Sequence, residues 1–184
     1  GGTAREVLRH PEVEGVTVCE IDGEVIRVSR EYLPALASSF DDPRVEIREA
    51  DGARFVAEHP DTFDVIIVDS SDPWGPAEVL FQEPFYRSMR DALKTDGIAV
   101  TQSESMFYDT DTIRELQGFT QELFPVARYY YTLVPTYPSG TIGFSFCSKG
   151  PDPLTDFRDK GLAGLRYYNP EIHRAAFALP TFLR

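Results

Sequence analysis

Cysteines, basic side chains and long apolar runs are scarce in this chain of 184 residues. Its 2 cysteines, Cys19 and Cys147, cannot form a disulfide framework, and both lie in apolar, strand-like stretches. We therefore expect buried free thiols and a reducing, cytoplasmic compartment. No segment approaches the roughly 20 apolar residues of a membrane-spanning helix, and no signal peptide is visible, so we expect no membrane partner.

Basic residues are outnumbered by acidic ones. The 30 Asp and Glu exceed the 18 Lys and Arg, so the formal net charge is -12. This charge argues against a nucleic-acid partner, which requires a basic face, but it is compatible with a cationic substrate, because a negative field concentrates cations. The histidines His10, His59 and His173 are too far apart to form a metal-ligand motif, and we predict no metal.

Strand-like and helix-like segments alternate along most of the chain. The predicted strands are residues 16–21, 44–50, 63–69, 98–103, 126–137 and 141–149, and the predicted helices are residues 3–10, 23–33, 52–59, 84–97 and 111–124. Gly97 is expected to end the fourth helix. The alternation predicts a doubly wound α/β domain over residues 1–184 with a mostly parallel sheet, and the short YPSG connection adds a C-terminal antiparallel hairpin. Such a sheet resembles the methyltransferase type of Rossmann-like fold.

Polar residues follow four successive predicted strands. Glu20 ends the first, Asp51 and Gly52 follow the second, Asp69 ends the third, and Gln102 ends the fourth. Ligands of doubly wound sheets bind beyond the carboxyl ends of the strands. We therefore expect these residues at one edge of the sheet, with Glu20 positioned to accept hydrogen bonds from ribose hydroxyls and Asp51 from an adenine amino group.

Purely structural roles are the alternative for several of these residues. Glu20 could cap the following helix, although Asp22 could do so instead, and Asp51 precedes a helix that it could cap. Asp72 lies in a turn rich in proline and glycine, where an aspartate often forms an Asx turn. Tyr137 precedes a proline and could serve only for packing.

Seven stretches taken in order resemble the spermidine synthases, which are polyamine aminopropyltransferases. These stretches are GGTAREVLRH, VTVCEIDGEVI, ADGARF, FDVIIVDSSDPWGPAEVLF, VTQSES, VPTYPSGTIGF and YYNPEIHRAAFALP. The combination of DSSDP with GPAE and PTYPSG is the most specific part of the resemblance. It implies transfer of the aminopropyl group of decarboxylated S-adenosylmethionine to putrescine, which yields spermidine and methylthioadenosine.

The resemblance also implies a role for individual residues. Asp69 matches the catalytic acid that accepts the proton of the amine. The matching diamine-binding positions are Ser70, Ser71, Asp72, Gln102 and Tyr137, and the matching nucleoside-binding positions are Glu20, Asp51, Gly52 and Pro76. The donor is implied as a co-substrate, with no prosthetic group and no metal. Polyamine and nucleoside substrates are the implied partners, in a homodimer or homotetramer.

The resemblance departs from the family at the start of the chain. Family members carry an N-terminal β-strand domain, a first sheet strand and a glycine loop before the matching region. We expect this chain to begin inside that loop, without the loop aspartate that binds the aminopropyl end of the donor. A protein that lacked everything before this loop is expected to have little activity and poor stability.

Other functions are compatible with the same pattern. An aminopropyltransferase could use agmatine, cadaverine or spermidine as its acceptor. A methyltransferase that uses S-adenosylmethionine shares the architecture, although the Asp69 and Asp72 pair and the PTYPSG stretch count against it. A nucleoside-binding protein without catalytic activity is the third alternative.

Overall fold

A two-stranded and a four-stranded sheet organise the chain. The computed structural model describes residues 1–183, and it divides the chain into two units, residues 1–55 and residue 56 onwards. Each unit has its own sheet and is described separately below. The helix α4 (Gly52–Ala57) contains the boundary between the two units.

The first unit is built around two parallel strands. Its elements in chain order are α1 (Gly2–Val7), β1 (Val16–Glu20), α2 (Gly23–Tyr32), α3 (Pro34–Ala37) and β2 (Val45–Glu49). The register pairs Val16 with Val45 and Glu20 with Glu49, so both strands end together. Parallel neighbours require a crossover, which α2 and α3 provide here.

The second unit contains a mixed sheet in the order β3-β4-β6-β5. Its strands are β3 (Phe63–Val68), β4 (Leu93–Gln102), β5 (Val126–Leu133) and β6 (Thr141–Ser148). β3 and β4 are parallel, whereas β6 is antiparallel to both β4 and β5. The carboxyl ends of β3, β4 and β5 and the start of β6 therefore lie along one edge.

Helices of the second unit bury the apolar side chains of this sheet. They are α5 (Glu83–Ala92), α6 (Thr110–Leu123) and α7 (Pro170–Ala176). The largest fully buried apolar side chains are Tyr86, Met89, Leu93, Ile113 and Leu116. The hydroxyl of Tyr86 lies 2.7 Å from the Thr101 hydroxyl, which satisfies both polar groups inside the core.

The boundary between α5 and β4 differs from the prediction. The helix ends at Ala92 instead of continuing to Gly97, and the strand begins at Leu93. The register shifts between the Phe63–Leu93 and Val65–Ile98 pairs, so the intervening residues of β4 interrupt the regular pairing. A Cβ on Gly97 would lie 2.9 Å from both the Leu93 Cβ and the Lys94 carbonyl oxygen. Gly97 thus allows this close approach of the backbone and does not end a helix.

Two other features bear on the predicted fold. The strand predicted over residues 126–137 ends at Leu133, because Val134 already belongs to the turn before β6. Helix α7 was not predicted, although the sequence contains a helix start there. The Asn169 side chain accepts a hydrogen bond from the Ile172 amide at 2.8 Å, and Pro170 is the first helical residue.

Across residues 1–183, the helices are all too short or too polar to cross a membrane.

Candidate active site

Asp69 and Gln102 lie side by side at the carboxyl edge of the four-stranded sheet. Val68 is the last residue of β3 and pairs with Thr101 of β4, so Asp69 follows one strand where Gln102 ends the other. The β-branched run of β3 ends at Asp69, whose side chain is exposed, whereas Gln102 is half-buried. The parallel register thus brings together two residues that are 33 positions apart.

The segment after Asp69 turns sharply and then forms a short 3-10 helix. The amide of Trp74 donates to the main-chain carbonyl of Asp72 at 2.7 Å, so the turn is closed by the backbone of Asp72. Gly75 has a φ of 61°, a conformation that glycine adopts without strain. Pro76 stands in the first turn of the 3-10 helix, Gly75–Phe81. Ser70 and Ser71 lie in the same turn, before Asp72.

Tyr137 is held in the turn that joins β5 to β6. Its amide donates to the Val134 carbonyl at 3.0 Å, and its own carbonyl accepts from the Gly140 amide at 2.8 Å. The Ser105 hydroxyl donates to the Ser139 hydroxyl at 2.9 Å, which ties this turn to the segment after β4. The Tyr137 side chain is 46% exposed at the same edge as Asp69 and Gln102.

Glu104 is a further acidic residue at this edge, and it is not among the residues predicted from the sequence. Its side chain is only 9% exposed, and its backbone φ is 37°. Its carbonyl oxygen accepts from the Gly143 amide and from the Tyr129 hydroxyl, both at 3.0 Å. Its carboxyl Oε1 is buried and accepts no hydrogen bond from residues 1–183. Its position in the sequence, two residues beyond Gln102, could have indicated that it lies at this edge.

The surroundings of Glu104 favour its protonated form. Burial raises its pKa to about 7, and the negative charges of Asp72 and Asp109 add to the effect. The edge therefore combines an exposed acid pair, Asp69 and Asp72, with a buried carboxyl group that is partly neutral at pH about 7.

In the first unit, Glu20 and Asp51 follow the ends of the two paired strands. The Glu20 carbonyl accepts from the Ala50 amide at 3.0 Å, which extends the β1–β2 pairing to this edge. The Glu20 Oε1 accepts from the Asp22 amide at 3.0 Å, and Asp22 caps α2 through the Glu24 amide at 2.9 Å. Asp22, and not Glu20, is therefore the cap of α2.

Asp51 is the cap of α4. Its Oδ1 accepts hydrogen bonds from the amides of Ala53 at 2.9 Å and Arg54 at 3.2 Å, while Gly52 is the first helical residue. Asp51 therefore has the capping role that the sequence left open as its alternative. The cap hydrogen bonds use only one of its two carboxylate oxygens, Oδ1. Burial raises the pKa of the Cys19 thiol, and the charges of Asp51 and Glu20 raise it further, so both carboxylates lie near this thiol.

The sequence-predicted residues therefore form two groups. The second unit contains Asp69, Ser70, Ser71, Asp72, Pro76, Gln102 and Tyr137, and the first unit contains Glu20, Asp51 and Gly52.

Within residues 1–183, no three His, Cys, Asp or Glu side chains are grouped so that they could hold a metal ion. Both thiols are free: Cys19 is half-buried, and burial raises the pKa of Cys147 to about 12.

Comparison with known proteins relates this arrangement to one family. The family described as "Spermine/spermidine synthase domain" matches residues 1–159. The chain belongs to this family. The resemblance seen in the sequence motifs is therefore confirmed.

Relatives in the spermine/spermidine synthase family align with all of this chain. A polyamine aminopropyltransferase from Leptospira biflexa is 52% identical over 186 residues, which cover 100% of this chain and 66% of the relative. One from Moorella thermoacetica is 50% identical, with 100% and 65% covered. The chain thus spans slightly less than two thirds of the length of these relatives.

Solved structures of spermidine synthases have the same fold. One, in complex with the transition state analogue AdoDATO, matches 100% of this chain and 64% of its own with a TM-score of 0.95 and 45% identity. Spermidine synthase from Thermotoga maritima matches with a TM-score of 0.92 and 44% identity, over 100% and 63% of the two chains. The predicted methyltransferase-type α/β fold with its antiparallel hairpin is confirmed.

Proposed function

We propose that this family member is a spermidine synthase, which transfers the aminopropyl group of decarboxylated S-adenosylmethionine to putrescine and releases spermidine and methylthioadenosine. The observation that carries the proposal is the convergence of Asp69, Asp72, Gln102 and Tyr137 at one edge of the four-stranded sheet. A dicationic diamine suits an edge with several acidic groups on a chain whose net charge is -12. The polyamine aminopropyltransferases that it resembles support the same reaction class.

The reaction requires a neutral amine and a good leaving group. The donor supplies the leaving group, because its sulfonium makes the adjacent methylene carbon electrophilic. The lone pair of the amine forms the new C–N bond as the C–S bond breaks, and the sulfur keeps the bonding pair as a neutral thioether. An alkylammonium has a pKa of about 10, so a carboxylate must help to remove a proton, and Asp69 is proposed as that base.

The other residues are proposed to hold the two substrates. Asp72 anchors an ammonium group, and Ser70, Ser71, Gln102 and Tyr137 complete the acceptor site. Glu20 accepts hydrogen bonds from the ribose hydroxyls, Asp51 and Gly52 lie at the adenine, and Pro76 shapes the loop over the nucleoside. Fixed positions of this kind lower the barrier by aligning the amine with the C–S bond. No prosthetic group or metal is proposed to take part.

Domain organisation, assembly and compartment are part of the same proposal. Residues 1–184 are proposed to belong to one catalytic domain that works as a homodimer or homotetramer in the cytoplasm. The free thiols Cys19 and Cys147 support a reducing compartment. Light scattering on the purified protein distinguishes dimer, tetramer and monomer, and a monomer would contradict the proposed assembly.

The catalytic role of Asp69 is tested by replacing it with asparagine. Asp69→Asn removes the proton acceptor but keeps the size of the side chain, so we expect kcat to fall by about 100-fold or more. Asp64→Asn is the matched control, because Asp64 lies near the opposite end of β3 in an exposed ion pair with Lys94 at 2.8 Å. It should retain kcat, since exposed ion pairs contribute little. Near-normal turnover in Asp69→Asn with an intact fold would refute the proposed role.

Product analysis separates the remaining functions. Methylthioadenosine as the nucleoside product indicates aminopropyl transfer, whereas S-adenosylhomocysteine indicates methyl transfer. A panel of putrescine, agmatine, cadaverine and spermidine then identifies the acceptor, and absence of putrescine turnover beside turnover of another amine would change the assignment. Calorimetric binding of methylthioadenosine without turnover of any amine would support a nucleoside-binding protein instead.

A further inference from the structure

Two serine hydroxyls join the segment after β4 to the turn that carries Tyr137. The Ser105 hydroxyl donates to the Ser139 hydroxyl at 2.9 Å, although the two residues are 34 positions apart in the chain. Ser105 follows the end of β4, and Ser139 lies in the turn between β5 and β6. Ser105 and Ser139 are called the serine pair below.

The hydrogen-bonding capacity of the Ser139 hydroxyl is fully used. A hydroxyl can donate one hydrogen bond and accept two. The Ser139 Oγ donates to the Thr141 carbonyl at 2.9 Å, and it accepts from the Thr141 amide at 3.3 Å and from the Ser105 hydroxyl. The Ser105 Oγ in turn accepts from the Phe107 amide at 3.3 Å, and Ser105 is only 7% exposed. A polar network that is satisfied in this way holds its members in one geometry.

Main-chain hydrogen bonds give the turn its shape. The Val134 amide donates to the Gly140 carbonyl at 2.8 Å, and the Gly140 amide donates to the Tyr137 carbonyl at 2.8 Å. These bonds lie inside the turn, so they make it a unit that can shift as a whole. The serine pair, by contrast, connects the turn to the segment that follows Gln102, and it therefore acts on the position of the turn.

The position of the turn determines where Tyr137 presents its side chain. Tyr137 is 46% exposed, so packing restrains its ring only in part. Ser139 is two residues further along the same turn, and a displacement of the turn would carry Tyr137 away from Gln102. A binding group that is held in place before the ligand arrives saves the cost of ordering it on binding.

We propose that Ser105 is a positioning residue for the acceptor amine, because its hydrogen bond to Ser139 holds the turn in the place from which Tyr137 contacts that amine. The inference rests on the proposed function, since the acceptor site is the one proposed there. Both serines act through Tyr137, and neither is assigned a contact with a substrate. Loss of the serine pair should thus weaken acceptor binding and spare the proton transfer to Asp69.

Steady-state kinetics test this role. Ser105→Ala should raise the KM for putrescine by about fivefold, the factor that corresponds to one neutral hydrogen bond, while kcat and the KM for decarboxylated S-adenosylmethionine stay within about twofold. Ser139→Ala should have a similar effect, and Ser139→Thr, which keeps the hydroxyl, should restore the wild-type KM. Ser88→Ala is the matched control, because the Ser88 hydroxyl donates to the Pro84 carbonyl at 3.1 Å within α5. It should leave every constant unchanged.

Combined substitutions show whether Ser105 acts through the two partners named. Ser105→Ala together with Ser139→Ala should raise the KM by about fivefold and not by about 25-fold, because both substitutions remove the same hydrogen bond. In a Tyr137→Ala background, Ser105→Ala should change the KM by less than about twofold. Effects that multiply in full in either combination would overturn the inference.

Amide hydrogen exchange measured by NMR gives a readout that does not depend on turnover. Ser105→Ala should speed exchange at the turn amides of Val134, Tyr137 and Gly140 by about threefold or more, while the amides of the β4–β6 ladder exchange as in the wild type. Faster exchange throughout the ladder would show a general loss of structure and would count against a positioning role.

The outcomes distinguish this inference from the proposed function. Turnover of putrescine by the wild type together with an unchanged KM in Ser105→Ala would overturn the inference and leave the function standing. If the wild type turns over no amine, the proposed function fails and the inference fails with it. Ser105→Ala and Ser139→Ala remove the same hydrogen bond from opposite sides, so either variant is sufficient if the other folds poorly.

Discussion

Burial differs sharply among the carboxylates at the sheet edge, and with it the free energy of ionising each one. Asp69 and Asp72 are exposed, so water stabilises their negative charges. Glu104 is 9% exposed and holds its proton to a pKa of about 7. One edge thus combines two exposed carboxyl groups with a buried one whose pKa is raised, and perturbed pKa values of this kind cluster at functional sites.

The raised pKa of Glu104 predicts how folding stability depends on pH. Below about pH 4.5 the group is protonated in both the folded and unfolded states, so it has no effect. Between pH about 4.5 and about 7 the unfolded chain loses this proton while the folded chain retains it, so the free energy of unfolding decreases. Replacing Glu104 by glutamine should remove this loss.

Glu104→Gln should therefore stabilise the protein by about 2 kcal/mol at pH about 8, but hardly at all at pH about 4. Urea unfolding of both proteins at the two pH values measures this difference. Glu122→Gln serves as the control, because Glu122 is exposed on α6. Equal effects of Glu104→Gln at both pH values would indicate that the residue acts through packing and not through ionisation.

Helix caps and strand pairs, at the scale of elements, carry the candidate site residues. Asp51 caps α4 through two amide hydrogen bonds, and Glu20 accepts the amide of the residue that caps α2. Each proposed nucleoside ligand is thereby held at the start of a helix that follows a strand. The cap orients the side chain, so a structural and a binding role can coexist in one residue.

Substitutions at Asp51 separate these two roles. Asn and Asp are equivalent as caps, whereas alanine in place of a cap lowers stability by about 1 kcal/mol. Asp51→Asn should thus retain the free energy of unfolding and Asp51→Ala should lose about 1 kcal/mol. If the carboxylate also binds adenine, Asp51→Asn should weaken methylthioadenosine binding by about tenfold in calorimetry. Unchanged binding in Asp51→Asn would leave Asp51 with the capping role alone.

The β5–β6 hairpin supports both Tyr137 and Glu104, and it depends on a close approach at Gly143. A Cβ on Gly143 would overlap the Tyr129 side chain, whose hydroxyl donates to the Glu104 carbonyl. Gly143→Ala should therefore lower the free energy of unfolding by about 2 kcal/mol or more. The reduced stability should also disturb the site, because Tyr129 must move.

Gly118 offers the matched control for this substitution. It lies exposed within α6, and apart from the adjacent residues and the backbone of its own helix, a Cβ there would meet no atom of residues 1–183 within 4 Å. Gly118→Ala should stabilise the helix by about 0.5–1 kcal/mol, since alanine is the better helix former. Thermal unfolding of both variants gives opposite shifts if the close approach at Gly143 matters, and shifts of the same sign would contradict it.

Charge acts at the scale of the whole molecule. The net charge of -12 should attract cationic substrates over distances set by the ionic strength. The Debye length falls from about 10 Å at ~0.1 M salt to about 3 Å at ~1 M, so we expect the KM for putrescine to rise severalfold over this range. Binding of uncharged methylthioadenosine should change by less than about twofold. A KM that does not respond to salt would show that charges distant from the site contribute little.

Local sequence patterns predicted most of the helices and strands and indicated most residues of the proposed site. The apolar run before Asp69 predicted β3, alternation predicted β2, and each strand end marked a polar residue. These features depend on neighbours along the chain, because side-chain periodicity and turn chemistry are local properties. The family motifs were equally readable, since they are short stretches that keep their order.

The tertiary structure decided what depends on contacts between distant residues. Leu93 begins β4 because it pairs with Phe63, although the sequence continues a helical pattern through it. The strand order β3-β4-β6-β5 puts the Tyr137 turn at the same edge as Asp69, and burial by neighbouring strands makes Glu104 a carboxyl group that holds its proton. Register, burial and electrostatic environment arise only when remote segments pack together, and for that reason the sequence alone identified the exposed acids of this edge but not the buried one.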